Sequence, residues 1–486
     1  MSNCKRCEGV RAFVYGCSSE PLLFKVYALP CVSKRAVSID QVKNHSIDPI
    51  HRAVSLWSRM GVVTVLPILH VTLSAGIVEI EREPINYKTT PVQDRVQRLK
   101  QQMDHGDVRL EWDNKRGWLT SVLKHLDVPA SSQTLVFSKT SLQIRRISPS
   151  KPRAIYFNDD TYVGWVQNGD VIELSAVDSK QGGIFYVLKQ QKAERPVIIR
   201  DQGDCLTCHA SSKTKGVPGY LVRSVFASRE GQPYFGLGTT TTDHTTPMGK
   251  RFGGWYVTGT HGRMRHRGNV IARDDRYNPI DPEKGANIVD LSKFLRVEPY
   301  LERGSDIVAL MILEHQSQMH NLITNGSYDC RHAFHYQKIM NRALDRPTDH
   351  ETESTRSRIV NAGDKLLRYL LFCDEYTLGS PVKGTSGFAR HFSSLGPRDR
   401  KGRSLRDLDL GRRIFRYPCS FLIYSESFDE LPAPLLAHVE TRLIRVLRGE
   451  DLSGDFQHIS PGDREAILEI LMDTKPGFRA KENALE

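Results

Sequence analysis

Residues 154–189 read AIYFNDDTYVGWVQNGDVIELSAVDSKQGGIFYVLK. Short runs rich in aromatic and β-branched residues (Ala154–Phe157, Tyr162–Val166, Val171–Leu174, Ile184–Leu188) are separated by Asn158-Asp159, Asn168-Gly169 and Gly182-Gly183. Such runs, broken by residues that tolerate turns, read as antiparallel hairpins. Leu135-Val136-Phe137 extends the same texture upstream, and Trp255-Tyr256-Val257 repeats it once downstream. On the N-terminal side, Val92, Val96, Leu99 and Met103 recur at steps of three and four, so residues 91–127 read as helical. A further helix is expected from Ser305 or Asp306, as N-cap, past His320. Two more are expected at the C-terminus: one after Pro432-Ala433-Pro434, and one opened by Ser460-Pro461-Gly462-Asp463. The fold class is therefore α+β, an antiparallel sheet region with a loop-rich core and C-terminal helices.

Size and composition set the outer limits. The chain has 486 residues, 39% hydrophobic and 26% charged, with a net charge of +12. That is globular composition, which excludes collagen-like, low-complexity and wholly disordered chains. Nine cysteines are too sparse for a disulfide scaffold. The basic balance suits an acidic partner protein or an anionic surface. Helix-turn-helix cues, RNP-type aromatics and paired zinc-finger spacings are missing, so no nucleic-acid partner is expected.

From Gly61 to Val78 no residue is charged; Arg52 and Arg59 precede the run and Glu79, Glu81 and Glu83 follow it. Residues 60–78 read as a signal peptide, cleaved after Gly76, or as a membrane anchor. Either places the rest of the chain in the periplasm or facing it. Residues 1–59, with Cys4-Lys-Arg-Cys7, read as a disordered segment or an over-extended start. The remainder divides into 85–200 (helix plus antiparallel sheet), 201–375 (loop-rich, with the long helix), a polar Gly/Ser/Arg-rich linker at 376–410, and a helical region at 411–486.

One motif carries chemistry: Cys205-Leu206-Thr207-Cys208-His209. C-x-x-C-H is the attachment sequence of c-type haem. Two thiols one helical turn apart add across two vinyl groups, and the next residue offers its imidazole to the iron. From residue frequencies the pentapeptide is expected ~0.006 times by chance in such a chain. The alternatives are a thioredoxin-like redox pair, since Val197-Ile198-Ile199 precedes it, and half of a zinc site. His209 is the expected proximal ligand.

For the opposite side of the iron, His315 is the leading candidate. Met311, His315 and Met319 repeat at four-residue intervals on one helix face. Met248, His261, Met319 and His320 are the alternatives. A sixth protein ligand favours electron transfer, and an open site favours peroxide or small-molecule chemistry. Arg263, Arg265 and Arg267 either pair with haem propionates or form a solvated basic loop. His332 and His335 read as surface residues.

Several segments together resemble a family of large exported bacterial proteins with a single-haem cytochrome c domain, most of them uncharacterised. They are Ala154–Asp160, Cys205–His209 with Gly216-Val-Pro-Gly219 and Val222-Arg-Ser224, Gly253–Gly262, Glu314-His-Gln316 and Met319-His-Asn321. The resemblance spans roughly residues 90–475, with Phe428-Asp-Glu-Leu431 and Asp463-Arg464 inside it; the segment before Met60 departs from the family. It implies one covalently attached haem c held by Cys205, Cys208 and His209, and electron transfer to a redox partner. At His261, His315 and His320 it implies only that the family carries histidine. The expected function is electron transfer outside the cytoplasm. A haem enzyme with an open distal site, or a thiol-redox or haem sensor, stands as the alternative.

Overall fold

A computed structural model describes residues 79–273, 281–451 and 453–484, all within one compact unit. The expectations for 1–59 and 60–78 fall outside these residues. The fold is α+β.

Helix α1 (Arg95–His105) starts because Asp94 accepts hydrogen bonds from the amides of Val96 and Gln97. It stops at Gly106, whose φ of +88° ends the helix in the left-handed region. The helical stretch expected over 91–127 is therefore two helices, the second being α2 (Leu119–His125).

Beyond it lies a seven-stranded antiparallel sheet built from β1 (Thr134–Val136), β2 (Arg153–Phe157), β3 (Thr161–Trp165), β4 (Val171–Asp178), β5 (Gly182–Lys189), β6 (Ile198–Arg200) and β9 (Trp255–Tyr256). The spatial order is β6-β5-β4-β3-β2-β1-β9. Two short strands, β7 (Val222–Val225) and β8 (Thr239–Thr242), form a separate hairpin.

Register decides which side chains share a face. Tyr156 opposes Val163, and Leu174 opposes both Val163 and Tyr186. This face is apolar and buried, and α1 packs on it through Tyr186, whose hydroxyl donates to Asp94 (2.5 Å). The opposite face carries Arg153, Tyr162, Gly164, Glu173, Ser175, Phe185 and Val187.

That second face meets α4 (Ile307–Ala343), 37 residues long, after the one-turn helix α3 (Leu206–His209). Asp306 caps α4 by accepting from the amides of Val308 and Ala309. Its Oδ2 also accepts from the amides of Thr385 and Ser386. Gln316 of α4 donates to the Tyr162 hydroxyl at 2.9 Å. Helix α5 (Glu353–Leu370) packs along α4.

Residues 376–410 are not a linker. They hold β11 (Lys383–Gly384), which pairs with β10 (Gly259–Thr260), and α6 (Phe388–Ser394). Phe388 and Phe392 of α6 and Leu405 are buried in the core. Two aromatics four residues apart supply an apolar edge that the polar composition around them conceals. The chain ends in α7 (Glu426–Asp429), α8 (Ala433–Arg448), α9 (Pro461–Thr474) and α10 (Phe478–Asn483). Ser460 caps α9 through the amide of Asp463.

Candidate functional site

The C-x-x-C-H segment occupies α3 and the residue before it. The amides of Cys208 and His209 both bond the carbonyl of Cys205, at 3.2 and 3.0 Å. Asp201 sets the entry to this turn by accepting from the amides of Gly203 (2.9 Å) and Cys205 (3.1 Å). Leu206 is buried and anchors the turn to the core. Cys208 is left exposed, and Cys205 and His209 are half-buried. Both thiols are free.

Burial, reinforced by Asp201, pushes the Cys205 thiol up to about 12. A thioredoxin-like pair favours the opposite, a thiolate near neutral pH. Among the described residues no group of three or more His, Cys, Asp or Glu is arranged to hold a bare metal ion.

His209 is oriented by its backbone surroundings. Its Nδ1 donates to the carbonyl of Gly219 at 2.8 Å, which puts the lone pair on Nε2. Among the described residues Nε2 has no hydrogen-bond partner. Burial holds the ring's pKa below its usual value, so it stays neutral, as a metal-ligating imidazole must be.

Gly219 is itself fixed from α4. Asn321 accepts from the Tyr220 amide (2.8 Å) and donates to the Tyr220 carbonyl (2.7 Å). A Cβ on Gly219 would stand 2.1 Å from Asn321 Oδ1, so glycine alone fits that clamp. Gly219 and Asn321 were visible in the sequence as parts of Gly216–Gly219 and Met319–Asn321. Their shared task of holding His209 was not, because it joins residues 102 positions apart (321 − 219).

Around the turn lies the second face of the sheet. Phe185 contacts the His209 ring, with centroids 4.7 Å apart. Val187 opposes Ile199 across β5 and β6, and Ile199 is 46% exposed, an uncovered apolar position on that face. Arg153 pairs with Glu173, and both act electrostatically on His209. Gly164 leaves room for the Arg153 guanidinium to lie across the sheet. Lys213 and Arg223 lie near Cys208, and the Arg223 guanidinium covers the exposed Phe235 ring at 4.9 Å. Two free thiols on one turn, a neutral imidazole with a free Nε2, exposed apolar surface and nearby cations could together hold a haem c.

Of the five residues weighed for the side of a haem opposite His209, His320 alone keeps an unpartnered ring nitrogen. His315 is fully buried, with Nδ1 2.8 Å from Nδ1 of His244 and Nε2 2.8 Å from the Ser420 hydroxyl. The rings of Tyr369 and Phe372 stack against it. His315 is thus a hydrogen-bonded core histidine, and its partners come from positions 244 and 420, which no local pattern links to it. His261 donates Nδ1 to the Met264 carbonyl and accepts at Nε2 from the Asn287 amide. Met248 and Met319 are buried in the core. His320 bonds the Asp159 carbonyl through Nε2 (2.8 Å), while its buried Nδ1 has no partner.

Arg265 pairs with Glu283, and Arg267 lies over the Phe226 ring. The basic loop therefore spends two of its three guanidinium groups locally. His332 is buried and stacks on Tyr336, contrary to the surface position expected.

Ring contacts continue from the motif into the molecule. Phe185 leads to Tyr220 (6.1 Å), Tyr220 to Tyr162 (4.3 Å), Tyr162 to Phe157 (6.4 Å) and Phe157 to Phe388 (5.6 Å). Phe157, Phe388 and His320 line a cleft of about 770 Å³ that also contains Arg406 and Phe421. No protein-family model, no curated protein and no solved structure matches this chain.

Proposed function

We propose that the protein is a c-type cytochrome, holding one haem through Cys205, Cys208 and His209 and passing electrons outside the cytoplasm to a partner protein. The observation that carries this reading is the His209 arrangement: Nδ1 committed to the Gly219 carbonyl and Nε2 without a partner among the described residues, one residue after an exposed cysteine on the same helical turn. When bound, the haem supplies a one-electron couple between ferrous and ferric iron. The chain's own part is to orient the ligating ring through Gly219 and Asn321, to offer the apolar surface at Ile199, and to place Lys213 and Arg223 near Cys208, where carboxylates can be paired. The net charge of +12 suits an acidic redox partner. The setting outside the cytoplasm follows from the covalent attachment and from residues 60–78, which lie outside the described residues.

A second reading, small-molecule redox chemistry at an open face of the iron, is favoured by the bonding of the other candidate ligands. Both ring nitrogens of His315 and of His261 are already used.

The test is expression in a host that exports the chain and attaches haem, followed by haem staining of the denatured protein. Stain should be present and should vanish in the Cys205→Ala/Cys208→Ala variant; stain that survives both changes, or a colourless wild type, overturns the proposal. Spectra of the reduced protein with and without carbon monoxide then separate the two readings. A spectrum indifferent to the gas supports the carrier, and ready binding supports the open site.

A further inference from the structure

The last turns of α4 carry an uncovered apolar face. Tyr336, Ile339, Met340 and Leu344 are 48%, 47%, 52% and 49% exposed. Their spacing of three and four puts them side by side along the helix. Grouped exposure of this kind marks a contact surface, unlike apolar residues scattered singly.

What lies next to this face identifies its partner. Arg331, five residues before Tyr336, donates to the carbonyls of Pro84 (3.0 Å) and Lys180 (2.7 Å). Glu79 acts electrostatically on Asp329 and His332, and Glu81 on Tyr328. Residues 79–84 therefore run beside α4 between Tyr328 and His332. Glu79 is the residue that follows the uncharged run 61–78 in the sequence. The chain thus leaves that run against the same helix that carries the uncovered face, about one turn away from it.

We propose that Tyr336, Ile339, Met340 and Leu344 form a membrane-resting face, seated in the interfacial layer of the bilayer that residues 61–78 enter. The inference goes beyond the haem reading and rests on residues 60–78 being a retained anchor. Tyr336 supplies the amphipathic aromatic suited to the headgroup level. Exposed Arg342 lies beside Ile339 at one edge of the face, with a long stem that can carry its charge out to lipid phosphates. The Arg358 guanidinium lies 5.9 Å from the Tyr336 ring centroid and adds a further cation beside that ring. No helix among the described residues is long and apolar enough to cross a membrane, so this face lies on the bilayer as an amphipathic segment does.

The experiment uses the full chain reconstituted into phosphatidylcholine vesicles, with and without phosphatidylglycerol, whose acyl chains carry bromine. The variant Met340→Trp places a reporter on the face, read as the difference from the unsubstituted protein. The protein should float with the vesicles, and the added emission should be quenched about twofold, more so with the anionic lipid. Flotation without quenching overturns the inference while leaving the anchor intact. Failure to float overturns the anchor reading and the inference together. A detergent-solubilised dimer that Ile339→Asp/Met340→Asp splits, with Met340→Trp unquenched, assigns the face to a second copy and overturns it as well.

Discussion

Two histidines of this chain sit on helices beside the same sheet face, and they are built for opposite ends. His209 ends a one-turn helix, is half-buried, and commits one nitrogen to a carbonyl while the other has no partner among the described residues. His315 lies inside a 37-residue helix, is fully buried, and has both nitrogens committed to side chains. Burial lowers the proton affinity of both rings, so that property does not distinguish them. Unspent bonding capacity does. A buried ring with two satisfied nitrogens is part of the core, whereas His209 keeps one nitrogen in reserve at a half-buried turn beside two thiols.

The sharpest way to break this contrast is to remove each ring in turn. On the haem reading, His209→Ala should abolish the wild-type iron spectrum while the covalent stain remains, because the thioether bonds do not depend on the imidazole. His315→Ala should leave spectrum and stain unchanged but destabilise the fold by about 3 kcal/mol, since it opens a cavity and strands His244 and Ser420. Absorption spectra and urea unfolding of the two variants read both halves; a spectral change confined to His315→Ala would reverse the assignment.

Asn321→Ala tests how His209 is held. Losing two buried hydrogen bonds to Tyr220 should cost about 2 kcal/mol in urea unfolding and should broaden the iron spectrum, because the Gly219 carbonyl is no longer fixed. A stability loss with an unaltered spectrum would separate the clamp from the ligand.

The smallest effect is on pH dependence. Burial holds His244 at about 3 and His315 well below the usual value, so both rings stay neutral in the folded protein. Below about pH 6.5 the unfolded chain takes up protons that the folded one refuses, and stability falls as pH drops. Each ring contributes about 1 kcal/mol per pH unit. Buried Asp94, held at about 6, and Glu375, at about 7, slope the other way, since their folded forms bind protons more tightly than the unfolded chain does. The informative quantity is therefore the difference between the wild type and His244→Phe, which should lose less stability between pH 6.5 and 5.5; parallel curves would mean that His244 is protonated in the fold.

Much of this architecture is legible in one dimension, for a local reason. The hairpins β2–β5 show themselves because period-two alternation and turn residues are properties of neighbouring positions. The C-x-x-C-H turn shows itself because all its chemistry lies within five residues. What stays hidden joins distant positions. Trp255-Tyr256 is too short to announce that it completes the sheet, and Phe388 and Phe392 are masked by the arginines, serines and glycines around them. His315 lies on the buried stripe that its spacing suggested, yet its role depends on His244 and Ser420. Position along a helix tells which way a ring points, not which groups meet it there.

The edge pairing of β1 with β9 has a consequence in time. Leu135 lies opposite Tyr256, 121 positions further along (256 − 135). Closing so large a loop is entropically costly, and pairings of this kind are slow to form. The cysteine turn lies in the span that has to be looped out. If the haem proposed above is attached there, that delay leaves an interval in which both sulfurs can still be reached.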